Sequence, residues 1–296
     1  MNTKAAVETR RFRTWEDEAE LPLRPWRTVF KFGMVRMWRT WYLTLLAVAA
    51  LVSAALFIGF QTVEWTQHGQ PTTGSLQGGI AFLIFPALVF LVLVGAPLLA
   101  EDIRFNAPLF YFSRPLRPQD YLRGKAMQLG LVLAIFGLVP IAAMMVAALP
   151  SVVTGQSTTP GTIASVGDWL VALLAALAGT SAILLFLASA TICASAFTKR
   201  GWHAGVAAFA VVGSFGVLGA AASFGLKGAY LDLFGPFGWM KQALTGPWAL
   251  YFRAPGQSLP DGTAAVVPIC YLLLAGTSLA ALLAAGHRLQ DMEASA

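Results

Sequence analysis

Six apolar stretches without one Asp, Glu, Lys or Arg divide this chain: Tyr42–Phe60, Gly79–Ala100, Ala126–Leu149, Leu170–Phe197, Ala204–Leu226 and Ala264–Gly286. They run from 19 to 28 residues, and a helix rising about 1.5 Å per residue needs about 20 to cross a hydrocarbon core about 30 Å thick. With 57% hydrophobic and 11% charged residues, against about 25% charged in soluble domains, too few polar side chains remain to cover a water-facing surface. A transmembrane β-barrel would show alternating segments of about ten residues in place of unbroken runs. The sequence predicts an all-α, polytopic membrane protein with six transmembrane helices.

The basic residues set its orientation. Lys4, Arg10, Arg11, Arg13, Arg24, Arg27, Lys31, Arg36 and Arg39 precede the first stretch, and Arg104, Arg114, Arg117, Arg123 and Lys125 separate the second from the third. Lys199, Arg200 and Arg288 complete a set of 17 of the 20 Lys and Arg on one side. The opposite connections hold only Lys227, Lys241 and Arg253. The positive-inside rule then predicts an N-in, C-in topology. A signal peptide carries an apolar core of about 7–15 residues close to its start, whereas 41 residues precede the 19-residue run here, so the first stretch is expected to be kept. The expected location is the plasma (inner) membrane of a bacterium. A net charge of +6 sits beside membrane spans, where anionic lipid, and not nucleic acid, is its natural partner.

Several function classes fall away on missing chemistry. Ion-coupled carriers need an ionisable group at mid-membrane, and the six stretches have none. Neither His-Glu-x-x-His nor Gly-x-Ser-x-Gly occurs, and His68, His203 and His287 lie near stretch ends. Cys193 and Cys270 belong to opposite membrane depths, which supports neither a disulfide nor a metal site. Gly124-Lys125 looks like the end of a phosphate-binding loop, but Gln119 and Ala126 occupy the positions that need Gly and Ser or Thr. The chain is therefore expected to be no enzyme and to hold no cofactor; any ATP that drives it must bind a separate subunit.

Two polar regions carry information. Residues 101–125 alternate aromatics, both charge signs and prolines, and Pro115 and Pro118 restrict the backbone, so the segment reads as a docking surface of short helices and turns, with an ordinary interfacial loop whose basic residues meet anionic lipid headgroups as the equal alternative. Over 23–41, Leu23, Trp26, Phe30, Gly33, Met34, Met37, Trp38 and Trp41 recur at helical spacing, with Arg24, Arg27, Lys31 and Arg39 on much of the other side and Phe32 and Val35 interrupting it. That pattern predicts an amphipathic helix in the headgroup plane, with Trp26, Arg27, Phe30, Lys31, Met34, Trp38 and Trp41 as its interfacial residues. Residues 1–22 read as a mobile cytoplasmic tail, 42–286 as the six-helix domain and 287–296 as a second tail. In 227–263, apolar pieces at 233–240 and 246–252 are too short to cross, and Gly-Pro breaks separate them; they suit re-entrant or interfacial half-helices. Pro86, Pro97 and Pro140 should bend the second and third helices, and Gly205, Gly213, Gly216 and Gly219 give the fifth a close-packing face.

The run Tyr111-Phe112-Ser113-Arg114-Pro115-Leu116-Arg117-Pro118-Gln119-Asp120-Tyr121-Leu122-Arg123-Gly124-Lys125, preceded by Glu101-Asp102, resembles the segment after the second helix of ABC-2 type ABC transporter permeases. The N-terminal amphipathic helix and the long fifth connection are similar to features of the same family. The resemblance implies a permease subunit, of an exporter, that pairs with a second permease subunit and couples to a cytoplasmic ABC ATPase. It also implies that Glu101, Asp102, Arg104, Arg114, Pro115, Arg117, Asp120, Tyr121, Gly124 and Lys125 form the ATPase-coupling interface. A non-transporting membrane anchor or assembly protein, recruiting a cytoplasmic partner through the same loop, fits the absent catalytic residues equally well.

Overall fold

A computed structural model describes residues 26–68, 73–105, 117–154, 163, 165–207, 236–251 and 263–294. Among them there is no strand. The helices are α1 (Trp26–Trp38), α2 (Trp41–His68), α3 (Thr73–Phe90), α4 (Pro97–Arg104), α5 (Pro118–Leu133), α6 (Val139–Thr154), α7 (Val166–Phe197), α8 (Pro236–Tyr251) and α9 (Thr263–Ala294). Five continuous paths are long and apolar enough to cross a membrane: Leu43–Trp65, Ser75–Arg104, Pro118–Val153, Val166–Phe197 and Thr263–Met292. They match five of the six expected stretches. Of the other, 204–207 belong to a helical stretch over 201–207, and the remainder lies outside the described residues.

Proline shapes the second and third paths. Five-residue π-helical turns, Leu91–Gly95 and Ala134–Leu138, precede Pro97 and Pro140. A proline ring removes one N–H and crowds the carbonyl four residues back, and a widened turn relieves that crowding. Pro86, by contrast, sits inside an unbroken α3.

Contacts between distant residues fix two ends. At one end, the last turns of α4 meet the first turns of α5, Ser195 of α7 reaches α4, and Gly286 of α9 lies beside Leu122 of α5. At the other, Trp65, Leu76, Ile80, Met144, Ile163 and Trp169 pack together, and Trp169 Nε1 donates to Met145 O at 2.7 Å. The first four paths therefore alternate in direction, and the fifth, Thr263–Met292, runs parallel to the fourth. Every described Lys and Arg except Lys241 belongs to the first end. Between the ends lies an apolar core containing Phe90 stacked on Phe136, centroids 4.0 Å apart, with Leu129, Leu184 and Leu274. Large apolar side chains also line the outside, as with Leu45, Val52, Leu56 and Phe60 along α2, an arrangement stable only where the surrounding solvent is itself apolar.

Three features depart from the sequence expectations. Glu101 and Asp102 belong to the helical close of the second path, and Pro118 to Lys125 open the third, so only 105–117 lies between the two paths, of which 106–116 is outside the described residues. The amphipathic helix ends at Trp38, and Trp41 already belongs to α2. Gly246-Pro247 does not break the chain: α8 runs through both. Pro247 cannot donate to the carbonyl of Ala243, and the Tyr271 hydroxyl of α9 donates there instead, at 2.8 Å. Ala243 also lies against Gly179 of α7, and Gly246 against Val267 of α9, so α8 packs antiparallel to α9 with both glycines admitting close approach.

Candidate functional site: a buried ionic clasp at the charged end

Asp102 is 6% exposed, on the last turn of α4. Its Oδ2 accepts the Tyr121 hydroxyl at 2.6 Å and lies 2.6 Å from Lys125 Nζ. Tyr121 and Lys125 stand four residues apart on α5, so both project from one face, and the ammonium also lies 5.6 Å from the Tyr121 ring centroid. Arg36 of α1 completes the group, with Nη1 3.8 Å from Asp102 Oδ1 and Nη2 3.9 Å from Glu101 Oε2. Side chains of Lys125 and Asp102 are 11% and 8% exposed, whereas Arg36 and Glu101 are half-exposed or more. A carboxylate removed from water needs such company, because an unpaired buried charge is costly.

Local structure explains the placement. Pro118 occupies the first turn of α5, where its missing N–H costs nothing, and the Arg117 carbonyl accepts from Asp120 N and Tyr121 N at 2.9 and 3.2 Å. Asp120 favours the same N-terminus and pairs with Arg123 at 3.8 Å. From there Tyr121, Gly124, Gln128 and Val132 are buried at helical spacing. Gly124 is where α1 crosses: an added Cβ would lie 2.8 Å from Val29 Cβ and 2.9 Å from Trp26 O. One turn on, the Gln128 amide fills the space left by Gly33 of α1, and among the described residues its Oε1 meets no hydrogen-bond donor.

α4 is anchored from the opposite side. Proline at 97 leaves the start of this helix without a normal ladder, and Ser195 Oγ of α7 accepts from Leu99 N and Ala100 N at 3.0 and 2.8 Å while donating to Ala96 O at 2.9 Å. One hydroxyl thus satisfies three main-chain groups, capping the helix from a neighbour. Gly201 packs against Pro97 beside it.

The expected interface residues therefore separate by role. Asp102, Tyr121, Gly124 and Lys125 are interior, holding helices together. Glu101, Arg104 and Arg117 are outward-facing, and Asp120 lies between the two groups. Arg114 and Pro115 lie outside the described residues. On α1, Val29, Gly33, Met34 and Met37 turn toward the core and α5, Trp26 and Phe30 are half-buried, and Arg27 and Lys31 face outward. Trp38 and Trp41, expected on the apolar face, are 36% and 75% exposed, because the chain turns at Arg39 and Thr40 into α2. Sequence reasoning missed Arg36, although it flanks Met37 at the edge of the inward face. It also missed Gln128, continuing the Tyr121–Lys125 stripe, and Ser195, whose partners lie 95 or more positions away.

Among the described residues no three of His, Cys, Asp and Glu are grouped to hold a metal ion. The arrangement is a polar rivet joining α1, α4 and α5, with outward charges around it. No model of a known protein family matches this chain, and no characterised protein sequence matches it.

Proposed function

We propose that this chain is the permease subunit of an ATP-driven exporter, with both termini in the cytoplasm, a sixth span within 204–226, and a second permease subunit and a separate ABC ATPase as partners. The observation that carries this reading is the Asp102–Tyr121–Lys125 clasp, which joins the two helix ends that flank 106–116 in the chain. A force on that connection would reach α4 and α5 together, since their ends are cross-linked, and α1 through Arg36. Ser195 carries α4's movement to α7. The rest of the support is the resemblance of 101–125 to ABC-2 permeases and the confinement of nearly all described cations to this end.

On this reading Glu101, Arg104 and Arg117 touch the ATPase, while Asp102, Tyr121 and Lys125 transmit its motion. ATP chemistry stays on the partner. The uncharged spans suit an apolar or amphipathic cargo. Purification of the tagged chain from its native membrane tests the proposal: a stoichiometric nucleotide-binding ATPase is expected, and its yield should fall in Glu101→Lys/Arg104→Glu/Arg117→Glu. A sole partner without ATPase activity would replace the permease by a membrane anchor.

A further inference from the structure

A groove runs along the bundle between α5, α7 and α9. It has two joined parts, of about 660 and 560 Å³, which share Ala182, Leu185 and Tyr271. One part reaches Val267 and Pro268 away from the end that holds the clasp; the other reaches Ala126, Ile192 and Leu282 toward that charged end. From Val267 to Leu282 is about 22 Å along α9 at about 1.5 Å per residue. That exceeds the roughly 15 Å depth of one leaflet's hydrocarbon.

Its polar atoms are already engaged. Ser181 and Ser189 donate to Ala178 O and Phe186 O of their own helix, at 2.9 and 2.8 Å, and the Tyr271 hydroxyl serves Ala243. Leu185 and Leu272 on the rim are 54% and 72% exposed, so the groove opens sideways, toward the surrounding solvent of the helices. A trench of this length, lined by apolar atoms, suits a flexible hydrocarbon chain.

Charge selects the kind of chain. Arg123 precedes Ala126, Gly130 and Ala134 by three, seven and eleven positions, which puts it on the groove-lining stripe of α5 one turn beyond the groove's charged-end limit. Its side chain is 68% exposed and reaches Asp120 only at 3.8 Å. A guanidinium at headgroup level, above an apolar trench, matches a phosphate with an acyl tail beneath it.

We infer that this groove binds one anionic phospholipid from the leaflet at the charged end, its phosphate on Arg123 and one acyl chain along α5, α7 and α9. The site needs only that the helices cross a bilayer, and stands or falls apart from the transport reading. An occupied groove would brace α5 and α9 laterally, beside the clasp.

The test uses the full chain in nanodiscs containing photoreactive phosphatidylglycerol or photoreactive phosphatidylcholine, with crosslinks mapped by mass spectrometry. Expected are crosslinks on α5, α7 and α9, with about a fivefold preference for phosphatidylglycerol, the size set by one cation near an anionic surface. Arg123→Gln should abolish the preference and keep the tail crosslinks. Gly130→Leu should abolish both; a Cβ there meets nothing within 4 Å, so the variant keeps its fold. Equal labelling by both lipids in the parent chain, or unchanged labelling in Gly130→Leu, overturns the proposal. So does a disulfide between two copies of Gly130→Cys, which would put protein where lipid is expected.

Discussion

The Tyr271 hydroxyl stands 2.8 Å from the carbonyl of Ala243, the group that Pro247 leaves without its helical donor. A proline interruption within α8 is thereby repaired from α9, and α8 becomes part of the packed bundle. Tyr271→Phe should destabilise the protein by about 1–3 kcal/mol, the usual cost of an unsatisfied buried acceptor. Pro247→Ala restores the missing N–H, so the double variant should lose far less than Tyr271→Phe alone. Thermal unfolding of the three variants in detergent makes the comparison; equal losses in single and double variants would remove the repair from the account.

Ser195→Ala leaves Leu99 N, Ala100 N and Ala96 O without the hydroxyl that now serves all three. Hydrogen exchange across 97–104 should accelerate at least tenfold, on the basis of about 1.4 kcal/mol or more lost locally. Ser189→Ala is the control, because that hydroxyl bonds within its own helix, to Phe186 O. Similar exchange in the two variants would show that α4 does not depend on α7 for its cap.

Removing one member of the clasp strands the other. Asp102→Asn and Lys125→Met should each cost about 3–5 kcal/mol, while the double variant should recover much of that, since no buried charge remains unpaired. Denaturation midpoints give the coupling energy. Additive losses would mean that the 2.6 Å pair contributes little to joining α4 and α5.

Gly33→Leu should lift α1 from α5, because its side chain would enter the space of the Gln128 amide. A Cβ added at Gly276 meets nothing within 4 Å, so Gly276→Leu should be tolerated. Thiol labelling of Val29→Cys, half-buried in the parent, should rise several-fold with the first substitution and stay level with the second.

The apolar stretches alone determined that this chain is a bundle of membrane-length helices, because a backbone in hydrocarbon must satisfy its hydrogen bonds within each helix. They also placed nearly all the basic residues at one end, and the periodicity from Trp26 to Met37 marked the face of α1 that packs on α5. Tertiary structure decided what the polar residues do there. Asp102 reads in sequence as one charge in a loop; only the approach of α5 and α1 makes it a buried rivet. Ser195 and Tyr271 look like ordinary residues of apolar helices until their neighbours' prolines expose carbonyls and amides to them. Sequence records which main-chain groups proline leaves unpaired, but the partner that answers comes from another helix, and its identity depends on how the helices pack.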